Sequence, residues 1–175
     1  MRIALYGFMG AGKSSLGQAL ARRLNYRFVD LDAEIVKYTG KSIYKIFNEE
    51  GEIAFRKLEH QVLKELIKRD EENLILSLGG GAILQPNNRK LLELKDFLKI
   101  YIDVSVPELI RRLKDEKNER PLLAHIDNEF FSGFIEALHN SRKDVYEQHA
   151  DMKLRIDKED FETALNRLSL LLNVN

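Results

Sequence analysis

Short apolar runs alternate with amphipathic stretches along this chain, and each kind of run has its own period. The runs at 3–6, 26–30, 74–78, 97–102 and 152–156 read as strands. Between them, Leu16, Leu20 and Leu24 recur every four residues, as do Leu58, Val62 and Leu66, the spacing of a helix face packed on a sheet. Lys41 and Ser42 open a further helical pattern through Ile43, Ile46 and Phe47, and residues 161–172 form a terminal one. Strand and helix signals in alternation predict an α/β chain built of βαβ units around a parallel sheet.

Composition narrows what such a chain does. At 175 residues it fits a single domain, 1–175, with a real core. Lys plus Arg and Asp plus Glu are 28 each, so no overall field favours nucleic acid or an anionic membrane, and a small anion has to be captured by local arginines. The chain contains no cysteine, which excludes disulfides and thiolate metal sites and agrees with a reducing compartment. The N-terminal stretch MRIALYGFMG reads as a first strand rather than a secretion signal, and the apolar run near 168–172 is far short of the roughly 20 residues a membrane span needs. A soluble, cytoplasmic monomer is expected. The stretch KDEKNER, 114–120, has no apolar anchor and reads as either the start of a mobile surface segment or a solvated helix end.

The candidate chemistry starts at GFMGAGKSS, residues 7–15. A strand, then Gly7-x-x-x-x-Gly12-Lys13-Ser14, then a helix is the P-loop pattern in the context that gives it meaning. Backbone N–H groups of Gly10, Ala11, Gly12 and Ser15 suit phosphate oxygens, Lys13 suits the β and γ phosphates, and the Ser14 hydroxyl suits Mg²⁺. The helix behind the loop points its positive end at the anion. A second GKS at 40–42 fails the same test, because Ile35 stands where the first glycine belongs and no strand leads into it.

A P-loop alone does not separate kinases from switches and motors. The Asn-Lys-x-Asp element of guanine-specific switches is absent. FVDLDAEI ends the second strand with Asp30 and Asp32 near the sheet edge where ligands bind: Asp30 suits a water on Mg²⁺, and Asp32 suits a substrate hydroxyl that it orients or deprotonates. The alternative for Asp30 is an N-cap for the helix at Ala33. Arg56 offers a planar fork for a carboxylate, with Glu59 one turn on to hold it, and Gly79, Gly80 and Gly81 let backbone approach a ligand. Asp103, at the end of FLKIYIDVS, is a rival metal acid or a cap. The four histidines lack metal-ligand spacing, and Tyr38, Tyr44 and Tyr101 read as packing residues.

In this order, the P-loop, Asp30-x-Asp32, Phe55-Arg56, the glycines at 79–81, RPLL at 120–123 and SRKDVY at 141–146 resemble shikimate kinase, a P-loop family of the nucleoside monophosphate kinase type. The resemblance implies a three-layer α/β/α fold with a five-stranded parallel sheet and a mobile lid at about 112–126. It implies ATP-dependent, Mg²⁺-assisted phosphorylation of the 3-hydroxyl of shikimate in aromatic amino-acid biosynthesis. On that likeness Asp32 binds the ring hydroxyls, Arg56 and Arg142 grip the carboxylate, Gly79, Gly80 and Gly81 line the pocket, and Phe47 and Phe55 pack on the carbocycle. Arg120 swings from the lid onto the phosphates, and Arg112, or Arg111 in its place, meets adenine. The family commonly has a proline where this chain has Asp144. The rival readings are a kinase for a sugar acid such as gluconate or for a nucleoside monophosphate, and a nucleotide-binding regulator whose arginines meet a partner protein. The paired arginines with Asp32 and the glycine edge set the first reading apart.

Overall fold

The computed structural model describes residues 1–117 and 120–173. Five strands, β1 (Arg2–Tyr6), β2 (Arg27–Asp30), β3 (Leu74–Ser77), β4 (Phe97–Val104) and β5 (Met152–Ile156), form one sheet in the order β2-β3-β1-β4-β5, every pairing parallel. The helices are α1 (Lys13–Leu24), α2 (Leu31–Thr39), α3 (Ile43–Lys68), α4 (Pro86–Leu94), α5 (Val106–Glu116), α6 (Phe131–Gln148) and α7 (Phe161–Leu171), with a 3-10 turn at Ala82–Leu84. Strand order reverses at β1, so the crossovers to either side put helices on opposite faces and leave a crevice beyond the strand ends. β1 is the central strand; Ile3 to Tyr6 are fully buried, as a strand covered on both faces requires.

Local chemistry sets the helix ends. The Asp30 carboxylate accepts from Ala33 N at 3.1 Å to start α2, Ser42 caps α3 through Lys45 N at 3.2 Å, and Asp160 caps α7 through Thr163 N at 2.8 Å. α1 stops at Asn25, which takes the left-handed conformation (φ 54°) and returns its N–H to Ala21 and Arg22. The stripes predicted on α1 and α3 face the core: Leu16, Leu20, Val62 and Leu66 are buried.

The architecture matches the expected parallel α/β sheet, with two informative differences. β4 continues past 102 to Val104, pairing Asp103 with Arg155 and Val104 with Ile156 on β5. The charge of Asp103 marks an end to the apolar run but not to the strand, because its carboxylate is compensated inside the sheet: it accepts from Arg155 Nη1 at 2.8 Å, Lys153 Nζ at 3.1 Å and the Tyr101 hydroxyl at 3.1 Å. Burial pushes this carboxyl up, but the Arg155 and Lys153 bonds outweigh it and hold it below the usual range. Asp103 is a cross-strand ion pair, neither metal acid nor cap. The second difference is α5, which runs through 114–116; the first residues of the charged stretch are a solvated helix end. Of the expected lid at 112–126, residues 118 and 119 lie outside the described residues. No helix among the described residues is long and apolar enough to cross a membrane.

Candidate active site

Beyond the β1 and β3 ends lie two adjoining cavities. The larger, about 710 Å³, is walled by the loop at 9–15, Asp30, Ser77, α5 and the connection into α7. The smaller, about 80 Å³, is walled by Phe47, Phe55, Arg56, Glu59, the glycines at 79–81, Pro121, Leu122 and Arg142. Asp32, Arg120, Met9, Gly79 and Gly80 line both. These five residues form the wall that the two cavities share.

The larger cavity is built around the loop predicted to hold phosphates. Gly10 and Gly12 hold φ of 74° and 83°, the left-handed values that curl the loop over the start of α1. Lys13 is buried and donates to Phe8 O at 2.8 Å; burial pulls its amine down to about 8, partly opposed by Asp32 and Asp30. The Ser14 hydroxyl donates to Asp30 at 2.5 Å and lies 3.3 Å from the hydroxyl of Ser77. Asp30 thus fills both of its candidate places, one carboxylate oxygen on the α2 cap and the other on Ser14. Arg112 is held by Glu108 at 2.7 Å and reaches back to Gly10 O at 3.4 Å, against the loop, while Arg111, on the same Glu108, projects into solvent. Arg120 pairs with Glu116 at 2.5 Å.

The smaller cavity gathers the arginines and aromatic rings predicted for an acid. Glu59, fully buried, holds the Arg56 guanidinium with both oxygens at 3.0 Å, and Glu52 holds it at 3.1 Å. Burial pushes the Glu59 carboxyl up to about 7, against the pull of Arg56. Burial, then the charge of Asp30, pushes the Asp32 carboxyl up as well, against Lys13, Arg120 and Arg56. Phe47 and Phe55 meet at 4.5 Å between ring centroids and form the apolar wall. The glycines are required by close approach: a methyl on Gly79 would sit 2.8 Å from Asp32 Oδ1, and one on Gly81 would overlap the Arg56 guanidinium. α6 runs unbroken through Asp144, and Arg142 is buried with Nη1 3.5 Å from Gly80 O.

All the predicted site residues therefore converge around the two cavities, Arg111 at the exposed rim of the larger one. Contributors given no role from sequence include Ser77 beside Ser14, Phe161 in the larger cavity, and two residues inside the RPLL and SRKDVY motifs: Leu122 in the smaller cavity and Tyr146, whose hydroxyl donates to Gly80 O at 2.5 Å.

A nucleotide-sized socket opening through a shared wall into a small cationic pocket, at the reversal point of a parallel sheet, defines a P-loop phosphotransferase with a small-molecule acceptor. The family model for shikimate kinase matches residues 9–171. A shikimate kinase of Flavobacterium johnsoniae is 40% identical over 171 residues, covering 97% of this chain and 98% of the relative, and one of Enterococcus faecalis is 40% identical over 168 residues, covering 95% of each. Among solved structures, shikimate kinase from Acinetobacter baumannii in complex with shikimate superposes with a TM-score of 0.84 at 35% identity, over 98% of this chain and 93% of that one. That from Bacteroides thetaiotaomicron gives 0.87 at 34%, over 99% of each. The chain belongs to the shikimate kinase family.

Proposed function

We propose that the two cavities carry out, within one catalytic domain, the reaction that family membership assigns to the chain: ATP-dependent phosphorylation of the 3-hydroxyl of shikimate, giving shikimate 3-phosphate and ADP in aromatic amino-acid biosynthesis. The observation that carries this reading is the shared wall, where Asp32 and Arg120 line both the phosphate socket and the acid pocket.

ATP occupies the larger cavity with its phosphates on the amides of Gly10 to Ser15 and on Lys13, and with its base toward Arg112. Shikimate occupies the smaller, its carboxylate gripped by Arg56 and Arg142 and its ring on Phe47 and Phe55. Asp32 accepts a hydrogen bond from the acceptor hydroxyl and aims it at the γ-phosphorus; its raised affinity for a proton, caused first by burial, suits a group that shares the proton as attack proceeds. Lys13 and Arg120 neutralise charge on the transferring oxygens. Pro121 and Leu122 cover the acceptor and exclude water, the competing nucleophile. The oxygens of Ser14, Asp30 and Ser77, clustered at the start of α1, are a hard-ligand set that fits Mg²⁺, Ser14 directly and Asp30 through water. Mg²⁺ held by these residues would offset phosphate charge during transfer. The protein acts as a cytoplasmic monomer.

Coupled detection of ADP across shikimate, gluconate and AMP tests the reading. Release that depends on shikimate alone supports it; release with ATP alone, or faster with gluconate or AMP, overturns it.

A further inference from the structure

Three buried tyrosines, Tyr6, Tyr101 and Tyr146, stack behind the glycine edge with ring centroids 5.3 to 6.1 Å apart. Their hydroxyls go to different places. Tyr101 donates to Asp103, Tyr6 to the backbone carbonyl of Tyr146 at 2.7 Å, and Tyr146 to the carbonyl of Gly80 at 2.5 Å. Burial pushes the Tyr146 phenol up, so it remains a donor throughout the working pH range.

The Gly80 carbonyl and the Gly81 N–H belong to one rigid trans amide. Fixing that oxygen fixes the plane, and with it the face of Gly81 that lies against the Arg56 guanidinium. The same oxygen also accepts from Arg142, at a long 3.5 Å. While Tyr146 satisfies it, Arg142 keeps its charge for the cavity; without Tyr146, a buried carbonyl has Arg142 as its remaining donor and draws it back. We infer that Tyr146 is a positioning residue for acid recognition: through one hydroxyl on Gly80 it sets the wall against which both carboxylate-gripping arginines stand. Tyr6 anchors the backbone of Tyr146 and so supports the same wall.

The inference rests on the proposed acceptor, so the experiment separates the two. The wild-type chain, Tyr146→Phe and Tyr101→Phe are compared by steady-state kinetics with ATP and shikimate varied in turn. Tyr146→Phe should raise KM for shikimate roughly tenfold, as expected for losing one hydrogen bond to a buried carbonyl, with kcat and KM for ATP within about twofold of wild type. Tyr101→Phe, which removes a hydroxyl from the same cluster but not from Gly80, should leave both KM values in place. The inference is overturned if Tyr146→Phe moves neither KM or both alike, or if Tyr101→Phe raises the KM for shikimate as much. Should Tyr146→Phe not fold, Tyr6→Phe carries the test, with an expected rise of about two- to threefold confined to shikimate. A wild-type chain inert toward shikimate sinks the proposed function, and this inference with it.

Discussion

The cavity proposed for phosphate is centred on one short stretch of backbone, residues 9–15, whereas the cavity proposed for the acid is made mainly of side chains that reach it from α2, α3 and α6 onto the glycine edge after β3. In the first, left-handed glycines and a helix terminus present N–H groups, and the principal side chain, Lys13, lies on the same loop. In the second, each cation is held by neighbouring groups: Arg56 by Glu59 and Glu52, Arg142 by the ring of Phe8 at 5.7 Å and by the Gly80 carbonyl. A triphosphate is a large, invariant anion that amides can cradle. A small ring acid carries one carboxylate and differs from other acids by its hydroxyls, so its pocket needs directed forks and an acid placed against a hydroxyl. Damage to the first half should therefore abolish chemistry, and damage to the second should mainly weaken one substrate.

The largest effect is expected at Lys13. Lys13→Ala should lower kcat by about three orders of magnitude or more in coupled ADP release, since it removes the fixed cation nearest the transferring charge. Turnover within tenfold of wild type would place the chemistry elsewhere. Asp32→Asn, on the shared wall, should lower kcat by about 10²- to 10³-fold with little change in KM for shikimate if the carboxylate aims the nucleophile; an unchanged kcat would leave it a structural acid. Arg56→Ala or Arg142→Ala should raise KM for shikimate by about ten- to a hundredfold, the equivalent of about 1.5 to 3 kcal/mol for a charge-assisted pair, while KM for ATP holds. Equal effects on both constants would erase the division between the halves.

Two pH measurements sharpen the contrast. Lys13 in the free protein titrates at about 8, and the protonated form binds phosphate, so kcat/KM for ATP should fall as pH rises past 8, up to tenfold per unit. A flat profile to pH 10 would contradict a buried Lys13 as the phosphate cation. The smallest effect concerns the acid half. Folding raises the Glu59 carboxyl from its ordinary 4.5 to about 7, so between those values the native state holds a proton that the unfolded chain has lost. That contribution is complete below pH 4.5 and lost as pH rises through 7. Urea titrations should show wild type losing roughly 1 to 3 kcal/mol relative to Glu59→Gln across this window; parallel curves would remove Glu59 from the account.

The same division governs what could be read from the chain alone. The P-loop is contiguous and its residue types have few other uses together, so its position and the strand and helix around it were legible directly. The acid half became legible only as an ordered set, through family likeness, because Arg56 or Gly80 by itself looks like a solvated arginine or a turn. Ser77 escaped because a small hydroxyl at the end of an apolar strand carries no pattern; its place just before the glycine edge was the available signal. Tyr146 was legible as the end of SRKDVY, but its role was not, because that role depends on a carbonyl many residues away in sequence. Asp103 misled because the cations that compensate it, Arg155 and Lys153, arrive from a strand paired through tertiary structure. α5 was obscured by its charge, since its buried face includes Glu108 beside Leu109 and Leu113.

The most direct test of the central claim is a crystal structure of this chain grown with ADP, Mg²⁺ and shikimate. The account predicts the acid's carboxylate between Arg56 and Arg142 and a ring hydroxyl on Asp32, facing the empty γ-phosphate position beside Lys13. Shikimate seated away from Asp32, or the two arginines directed to opposite sides of the molecule, would contradict it.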